Sequence, residues 1–159
     1  MEEHKLKLQK IVQSYLEHNG LSISFLSRKI GVNFASLFRF LHEQQNLSED
    51  DIKKIWKFLE GKFLIPTEYI IAKLATEINC SEDELQLQDV LKVYLEMNDL
   101  SVSYAARVIK VSTTSLIRWI NGERDLSGKY IYKINEFLKG DFLIDVRLII
   151  IHIMIHEGK

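Results

Sequence analysis

The side chains in this sequence that could do chemistry are mostly hydrogen-bonding groups gathered between residues 101 and 129. Their positions are Ser101, Ser103, Ser112, Thr113, Thr114, Ser115, Arg118, Asn121, Arg124 and Lys129. Hydroxyls, an amide and long cations suit contacts with a polar partner better than covalent chemistry. No nucleophile motif and no glycine-rich phosphate loop accompanies them, so we predict that the protein is not an enzyme.

Two histidines near the carboxyl end, His152 and His156, have the i, i+4 spacing that places metal ligands on one helix face. Glu157 follows them, but no third ligand is evident nearby in the sequence. The single cysteine, Cys80, cannot form a disulfide framework or a cysteine-based zinc site. We therefore predict no metal site and no cofactor, and we expect a reducing, intracellular setting.

Composition narrows the class of protein. The chain has 159 residues with 21 Lys+Arg against 22 Asp+Glu, which excludes binding to nucleic acid or membrane through bulk positive charge. An apolar content of 47% is typical of globular proteins, and one proline with seven glycines favours helices. The polar start of the sequence lacks a signal-peptide core, and the apolar stretch 146–155 is too short to span a bilayer. We expect a cytoplasmic protein without a membrane partner.

An internal repeat organises the chain. Residue 8 aligns with residue 87 and residue 65 with residue 144, without a gap, at a constant offset of 79. Both copies carry Tyr-Leu-Glu-x-Asn, Leu-Ser-x-Ser, Ser-Leu-x-Arg and Gly-x-Phe-Leu-Ile at matching positions. Each copy is too long for a solenoid repeat, so we predict two domains, residues 1–80 and residues 81–159 with the apolar C-terminal segment.

Each copy is predicted to contain five helices, from the 3.6-residue period of its apolar positions and from its capping residues. The boundary residues expected in the first copy are Gly20, Ser22, Ile30, Gly31, Ser48, Leu59 and Pro66. A capping box at residues 81–84 is expected to start the second copy. Residues 149–155 are β-rich enough to stay ambiguous between helix and strand.

In each copy, a short helix, a three-residue turn and a second short helix form a helix-turn-helix pattern. This geometry needs small residues where the two helices touch. The turn needs a residue that tolerates positive φ, followed by a buried aliphatic residue. The second helix needs a leucine and an aromatic residue that point into the core. The residues in these roles are Ser27, Gly31, Val32, Leu37 and Phe40 in the first copy, and Ala105, Ala106, Lys110, Val111, Leu116 and Trp119 in the second.

These residues resemble the lambda-repressor-like (XRE-type) helix-turn-helix domains of phage and bacterial regulators. The likeness covers residues 21–48 and, more closely, residues 100–127, where Trp119-x-x-Gly122 follows the second helix. It implies an all-α fold of two tandem five-helix domains. It also implies sequence-specific binding to the major groove of double-stranded DNA, usually as a dimer.

The sequence departs from the family pattern at four positions. Ile23 and Val102 stand where a glutamine that helps to hold DNA is common. Lys110 replaces the glycine of the turn in the second copy, and Glu43 replaces the glycine after the second helix in the first copy. Each copy keeps one of the two expected glycines, so the departures bear more on DNA contacts than on the fold.

The resemblance also assigns the DNA contacts. In the second copy the recognition helix presents residues 112–115, Arg118 and Asn121 to the groove. The two serines at the start of the preceding helix, Ser101 and Ser103, then contact phosphate, and the two cations that follow, Arg124 and Lys129, reach the DNA backbone.

The first copy offers a smaller polar set, Asn33, Ser36 and Arg39. Its outward Phe34 and Phe38 allow three interpretations: contacts with thymine methyls, a surface for a protein partner, or partial burial by a neighbouring helix.

The C-terminal segment is apolar on nearly all sides of a helix, so we expect it to be buried on most sides. It packs against the fifth helix of the first copy or pairs with another chain, and we favour a homodimer. Together these features predict a transcriptional regulator, of a phage or mobile element, that acts by occupying an operator. The alternative is a protein-binding module on a helix-turn-helix scaffold, such as an antirepressor, an antitoxin-like partner or a nuclease inhibitor.

Overall fold

The computed structural model describes residues 6–157, and the part of the chain that it describes is helical, without a β-strand. The all-α prediction is confirmed. The helices are α1 (Leu8–Asn19), α2 (Ile23–Ile30), α3 (Phe34–Leu41), α4 (Glu49–Leu59), α5 (Thr67–Ile78), α6 (Leu87–Met97), α7 (Val102–Ile109), α8 (Thr113–Ile120), α9 (Gly128–Leu138) and α10 (Val146–Glu157).

The helix ends follow the local sequence. Ser22 caps α2, its Oγ accepting from the N–H of Phe25 at 3.0 Å, and Ser48 caps α4 in the same way. Gly20 and Gly31 end α1 and α2 in the left-handed conformation, with φ of 67° and 69°. α1 begins at residue 8 and α6 at residue 87, and each later helix keeps that spacing from its counterpart.

One predicted helix start differs from the structure, and one ambiguous segment is resolved by it. The capping box at residues 81–84 forms a separate 3-10 helix at Glu82–Glu84, and α6 begins only at Leu87 because Leu85 is extended. Ser81 Oγ donates to Glu84 Oε1 at 2.9 Å instead of capping a backbone N–H. The ambiguous segment 149–155 lies inside α10 and is helical.

The helices form two compact units whose boundaries differ from the predicted ones. Unit 1 contains α1 to α4 and α10, and unit 2 contains α5 to α9. The division predicted at residue 80 follows the sequence repeat, whereas the compact units exchange the fifth helix of each copy. Burial is the physical reason: α10 is covered by α1 within unit 1, and α5 is covered by α6 within unit 2.

Both units fill their cores at equivalent positions. The side chains without exposed surface include Leu26, Leu37 and Ile55 in unit 1, and Ala105, Leu116 and Ile134 in unit 2. Phe58 stacks on Phe63 with ring centroids 4.4 Å apart, and Phe137 stacks on Phe142 at 4.5 Å. In each unit this stacking packs the segment that follows α4 or α9 against the core.

Within one chain, helix α10 is buried along a single stripe. Ile149 and Ile153 are 2% and 3% exposed, and burying such side chains contributes about 1.5–3 kcal/mol each. The apolar residues that are more than half exposed are Leu148, Ile151, Met154 and Ile155. Within unit 1, α1 covers one stripe of α10, so the predicted burial on most sides would require a second chain. The expected partner, the fifth helix of the first copy, belongs to unit 2.

A buried asparagine in each unit ties the end of its first helix to the backbone just before the docked fifth helix. Asn19 Oδ1 accepts from the N–H of Ile144 at 2.7 Å, and Asn98 Oδ1 accepts from the N–H of Ile65 at 2.6 Å. Each Nδ2 donates to the carbonyl four residues earlier, at 3.0 Å and 3.1 Å. We call each of these arrangements an asparagine clamp.

Tyr15 and Tyr94 are buried beside these asparagines, and within the described residues their hydroxyls have no hydrogen-bond partner. Burial raises the pKa of each phenol to about 12, with the nearby Asp145 carboxylate adding to the rise at Tyr15. The charged form of each side chain is therefore disfavoured in the folded state.

Alkaline pH should destabilise the protein through these two phenols. The unfolded chain releases their protons near pH 10 and the folded chain near pH 12, so stability is complete below pH 10 and falls as pH rises towards 12. Two of the six tyrosines should titrate late in the absorbance at 295 nm. Tyr15→Phe should raise the unfolding free energy at pH 7 by about 1 kcal/mol. Tyr69→Phe, at a position 56% exposed, should change it by less than about 0.5 kcal/mol.

Candidate nucleic-acid interface

Helix α8 presents an outer face and a buried face, and the outer face is polar except for Ile117, which is 42% exposed. Ser112 caps it, its Oγ accepting from the N–H of Ser115 at 3.1 Å. Leu116 and Trp119 point into the core of unit 2 and are nearly fully buried. The outward positions with exposed side chains are Ser112, Thr114, Arg118 and Asn121, and Thr113 is half-buried. Thr114, Arg118 and Asn121 follow one another at spacings of four and three residues and therefore share one exposed face.

The turn before α8 has the geometry that the pattern requires. Ala105 and Ala106 on α7 are buried, which allows α7 and α8 to lie close together. Lys110 adopts φ of 67°, the left-handed conformation that Gly31 adopts in unit 1. An L-residue is strained there by about 1–2 kcal/mol because its Cβ crowds the following carbonyl oxygen.

Exchanging the residue types at these two turns should move stability in opposite directions. Lys110→Gly should raise the unfolding free energy by about 0.5–1 kcal/mol, since glycine relieves the strain. Gly31→Ala should lower it by about 1 kcal/mol, although no atom lies within 4 Å of the added Cβ. Urea denaturation of both variants measures the effect, and a less stable Lys110→Gly protein would contradict this interpretation of the turn.

Arg124 lies against the first turn of α8, an arrangement that the sequence did not indicate. Its Nη1 donates to Ser115 Oγ at 3.1 Å, and Ser115 Oγ also accepts from Ser112 Oγ at 2.8 Å. The hydroxyl of Ser115 is thus engaged within the protein, whereas Arg118 is exposed and makes no hydrogen bond or ion pair with the described residues. Nothing in the spacing of residues 115 and 124 signals this bond.

The remaining predicted residues of unit 2 flank α8 in the sequence. Ser101 caps α7, its Oγ accepting from the N–H of Tyr104 at 3.0 Å, and Ser103 is exposed in the first turn of that helix. Lys129 is exposed on α9, with Nζ 5.8 Å from the centroid of the Tyr130 ring. The predicted positive groups at or after α8 are therefore Arg118, Arg124 and Lys129.

Helix α3 in unit 1 is built like α8 but presents an aromatic face. Asn33 caps it by accepting from the N–H of Ser36 at 3.3 Å, and Arg39 Nη1 donates to Gln45 Oε1 at 3.3 Å. Outward from it lies a row of three rings, Phe34, Phe38 and His42, whose neighbouring centroids are 6.1 Å and 4.1 Å apart. Phe34 is 46% and Phe38 40% exposed. We call this row the aromatic ladder.

The structure brings a third imidazole to the two histidines of α10. His18 of α1 lies 5.0 Å from His152, ring centroid to centroid, and His156 lies 4.3 Å from His152. His18 Nδ1 bonds to the carbonyl oxygen of Ser14 at 2.8 Å. The described residues nevertheless contain no group of three ligands arranged to hold a metal ion.

Comparison with known proteins gives one match. Residues 91–143, which run from α6 to the end of the segment after α9, match the family described as helix-turn-helix. This part of the chain is a helix-turn-helix domain, and such a domain is typical of DNA-binding regulators of the XRE type. No curated protein and no solved structure matches the chain. Within residues 6–157 no helix is long and apolar enough to cross a membrane.

Proposed function

We propose that this protein is a sequence-specific DNA-binding transcriptional regulator. One observation carries the proposal: in the matched domain, α8 follows a left-handed turn and presents Thr114 and Arg118 outward while Leu116 and Trp119 anchor it in the core. Rigid anchoring with a polar outer face is what a recognition helix needs. We further propose that α2 and α3 form a second, duplicated motif, which makes the chain a tandem pair.

In this proposal α8 enters the major groove. Arg118 takes a guanine edge or a phosphate, and Thr114 contacts a neighbouring base edge. Ser101, at the start of α7, and Lys129, on α9, contact the phosphate backbone. Because the chain has no excess of positive charge, only about 4–6 phosphates are neutralised per dimer, and the logarithm of affinity should fall against the logarithm of salt concentration with a slope of about −4 to −5.

Regulation follows from occupancy of an operator, which blocks or recruits polymerase. If the two motifs bind one duplex together, we expect them to read half-sites about one helical turn, roughly 34 Å, apart. We place the protein in the cytoplasm, because a bacterial or phage operator is found there. We assign it to a phage or mobile element because its motifs resemble those of phage and bacterial regulators.

A homodimer is part of the proposal. It is supported by the apolar side of α10, where Leu148, Ile151 and Ile155 are each more than half exposed at helical spacing. A second copy of the same stripe is a complementary partner. Light scattering at micromolar concentration should give twice the chain mass, and Ile151→Glu should return it to the mass of one chain. A monomeric wild-type protein contradicts this part of the proposal.

The decisive experiment is selection from a random duplex library at a stated salt concentration. We expect enrichment of a motif with two half-sites. The control is the same selection with Arg118→Ala/Thr114→Ala, which should lose the enrichment contributed by α8. Absence of any enriched motif with the wild-type protein would overturn the assignment.

The aromatic ladder favours a second candidate function, a protein-binding module on the same scaffold. Exposed stacked rings on α3 suit an apolar protein surface as well as thymine methyls. If unit 1 binds a protein, Phe34→Ala/Phe38→Ala should abolish capture of that partner. The same variant should leave DNA selection by α8 unchanged.

A further inference from the structure

The fifth helix of each sequence repeat docks on the first helix of the other repeat. In unit 1, α10 from the second repeat packs against α1, and in unit 2, α5 from the first repeat packs against α6. The chain therefore passes from one unit to the other twice, after Phe63 and after Phe142.

The two docking sites are built from equivalent parts. Ile149 on α10 and Ile70 on α5 occupy the same position in the repeat, and both are buried. Each site has its asparagine clamp, Asn19 bonded to Ile144 and Asn98 bonded to Ile65. The contact of α10 with α1 and the contact of α5 with α6 therefore have equivalent burial and equivalent hydrogen bonds, so the exchange of fifth helices is reciprocal.

We propose that the two sequence repeats bind each other by reciprocal exchange of their fifth helices. The interaction surface is the apolar face of α1 or α6 together with its asparagine clamp, and its partner is the fifth helix of the other repeat. The two docked helices then hold the repeats together. The repeats should stay associated even when the peptide segment 79–81 that joins them is cut. The proposal does not depend on what the recognition helices bind.

Hydrogen exchange in the full-length chain tests which helix each fifth helix protects. Ile149→Asp should accelerate amide exchange in α1 at least about tenfold and leave α6 unchanged, and Ile70→Asp should do the reverse. The matched control is Met154→Asp on the same helix, where the side chain is 62% exposed and lies outside the stripe proposed for the dimer, so exchange should stay as in the wild type. Acceleration in α6 on Ile149→Asp overturns the proposal.

A cut chain tests cohesion. A protease site placed at residues 79–81 and then cleaved should leave two fragments that elute together with the mass of the uncut protein, and that separate in denaturant. Fragments that part at micromolar concentration in native buffer contradict the exchange. In the same cut chain, Asn19→Ala/Asn98→Ala should raise the dissociation constant of the two fragments by at least about tenfold.

Discussion

Replacement of Asn19 by alanine should lower the unfolding free energy of unit 1 by about 2–4 kcal/mol. The variant removes a buried amide that binds the N–H of Ile144 at 2.7 Å and the carbonyl of Tyr15 at 3.0 Å. The N–H of Ile144 then loses its partner while the chain around it stays packed. Urea denaturation, with amide exchange in α1 to localise the effect, measures the change.

The matched control is Asn135→Ala. Asn135 Nδ2 also donates to a carbonyl four residues earlier, that of Ile131 at 3.1 Å, but the residue is exposed. Its replacement should change the unfolding free energy by less than about 0.5 kcal/mol. A decrease below about 1 kcal/mol for Asn19→Ala would mean that Ile144 finds another partner and that the clamp is not structural.

The second large effect is expected on DNA binding. Arg118→Ala/Thr114→Ala should weaken binding to the selected duplex by about 30- to 25,000-fold, because each side chain that bonds to a base contributes about 1–3 kcal/mol of binding free energy and the variant removes two of them. Both side chains are exposed, so the melting temperature should stay within about 2 °C of the wild-type value. Fluorescence anisotropy at constant salt measures the affinity.

Arg147→Ala provides the charge-matched control for that variant. It removes one arginine from α10, where the side chain is 84% exposed and paired with Asp145. Its affinity for the duplex should remain within about threefold of wild type. Equal weakening in both variants would show that net charge, and not the face of α8, determines binding.

Local sequence signals were sufficient for most helix ends. Ser22 and Ser48 predict N-caps because their hydroxyls satisfy first-turn N–H groups, and Gly31 predicts the turn because it tolerates positive φ. The polar face of α8 follows from helical periodicity once Leu116 and Trp119 are assigned to the core. These features depend only on neighbours along the chain.

Features that depend on residues distant in sequence could not be predicted. α5 and α10 occupy equivalent positions in the repeat, so no local pattern says which first helix either of them covers. The bond between Arg124 and Ser115 joins residues on opposite sides of a turn. Composition alone also could not identify what covers α10, because hydrophobicity does not specify how many neighbours a helix has.

The outer faces of α3 and α8 differ in chemistry, although the two helices are counterparts in the repeat. At equivalent positions α3 carries the rings of Phe34, Phe38 and His42, and α8 carries Thr113, Ile117 and Asn121. The two motifs of one chain are therefore expected to select different sequences: α3 a half-site with thymine methyls for its rings, and α8 a half-site with hydrogen-bonding base edges. A duplex that carries only one of these two half-sites should bind more weakly than a duplex that carries both.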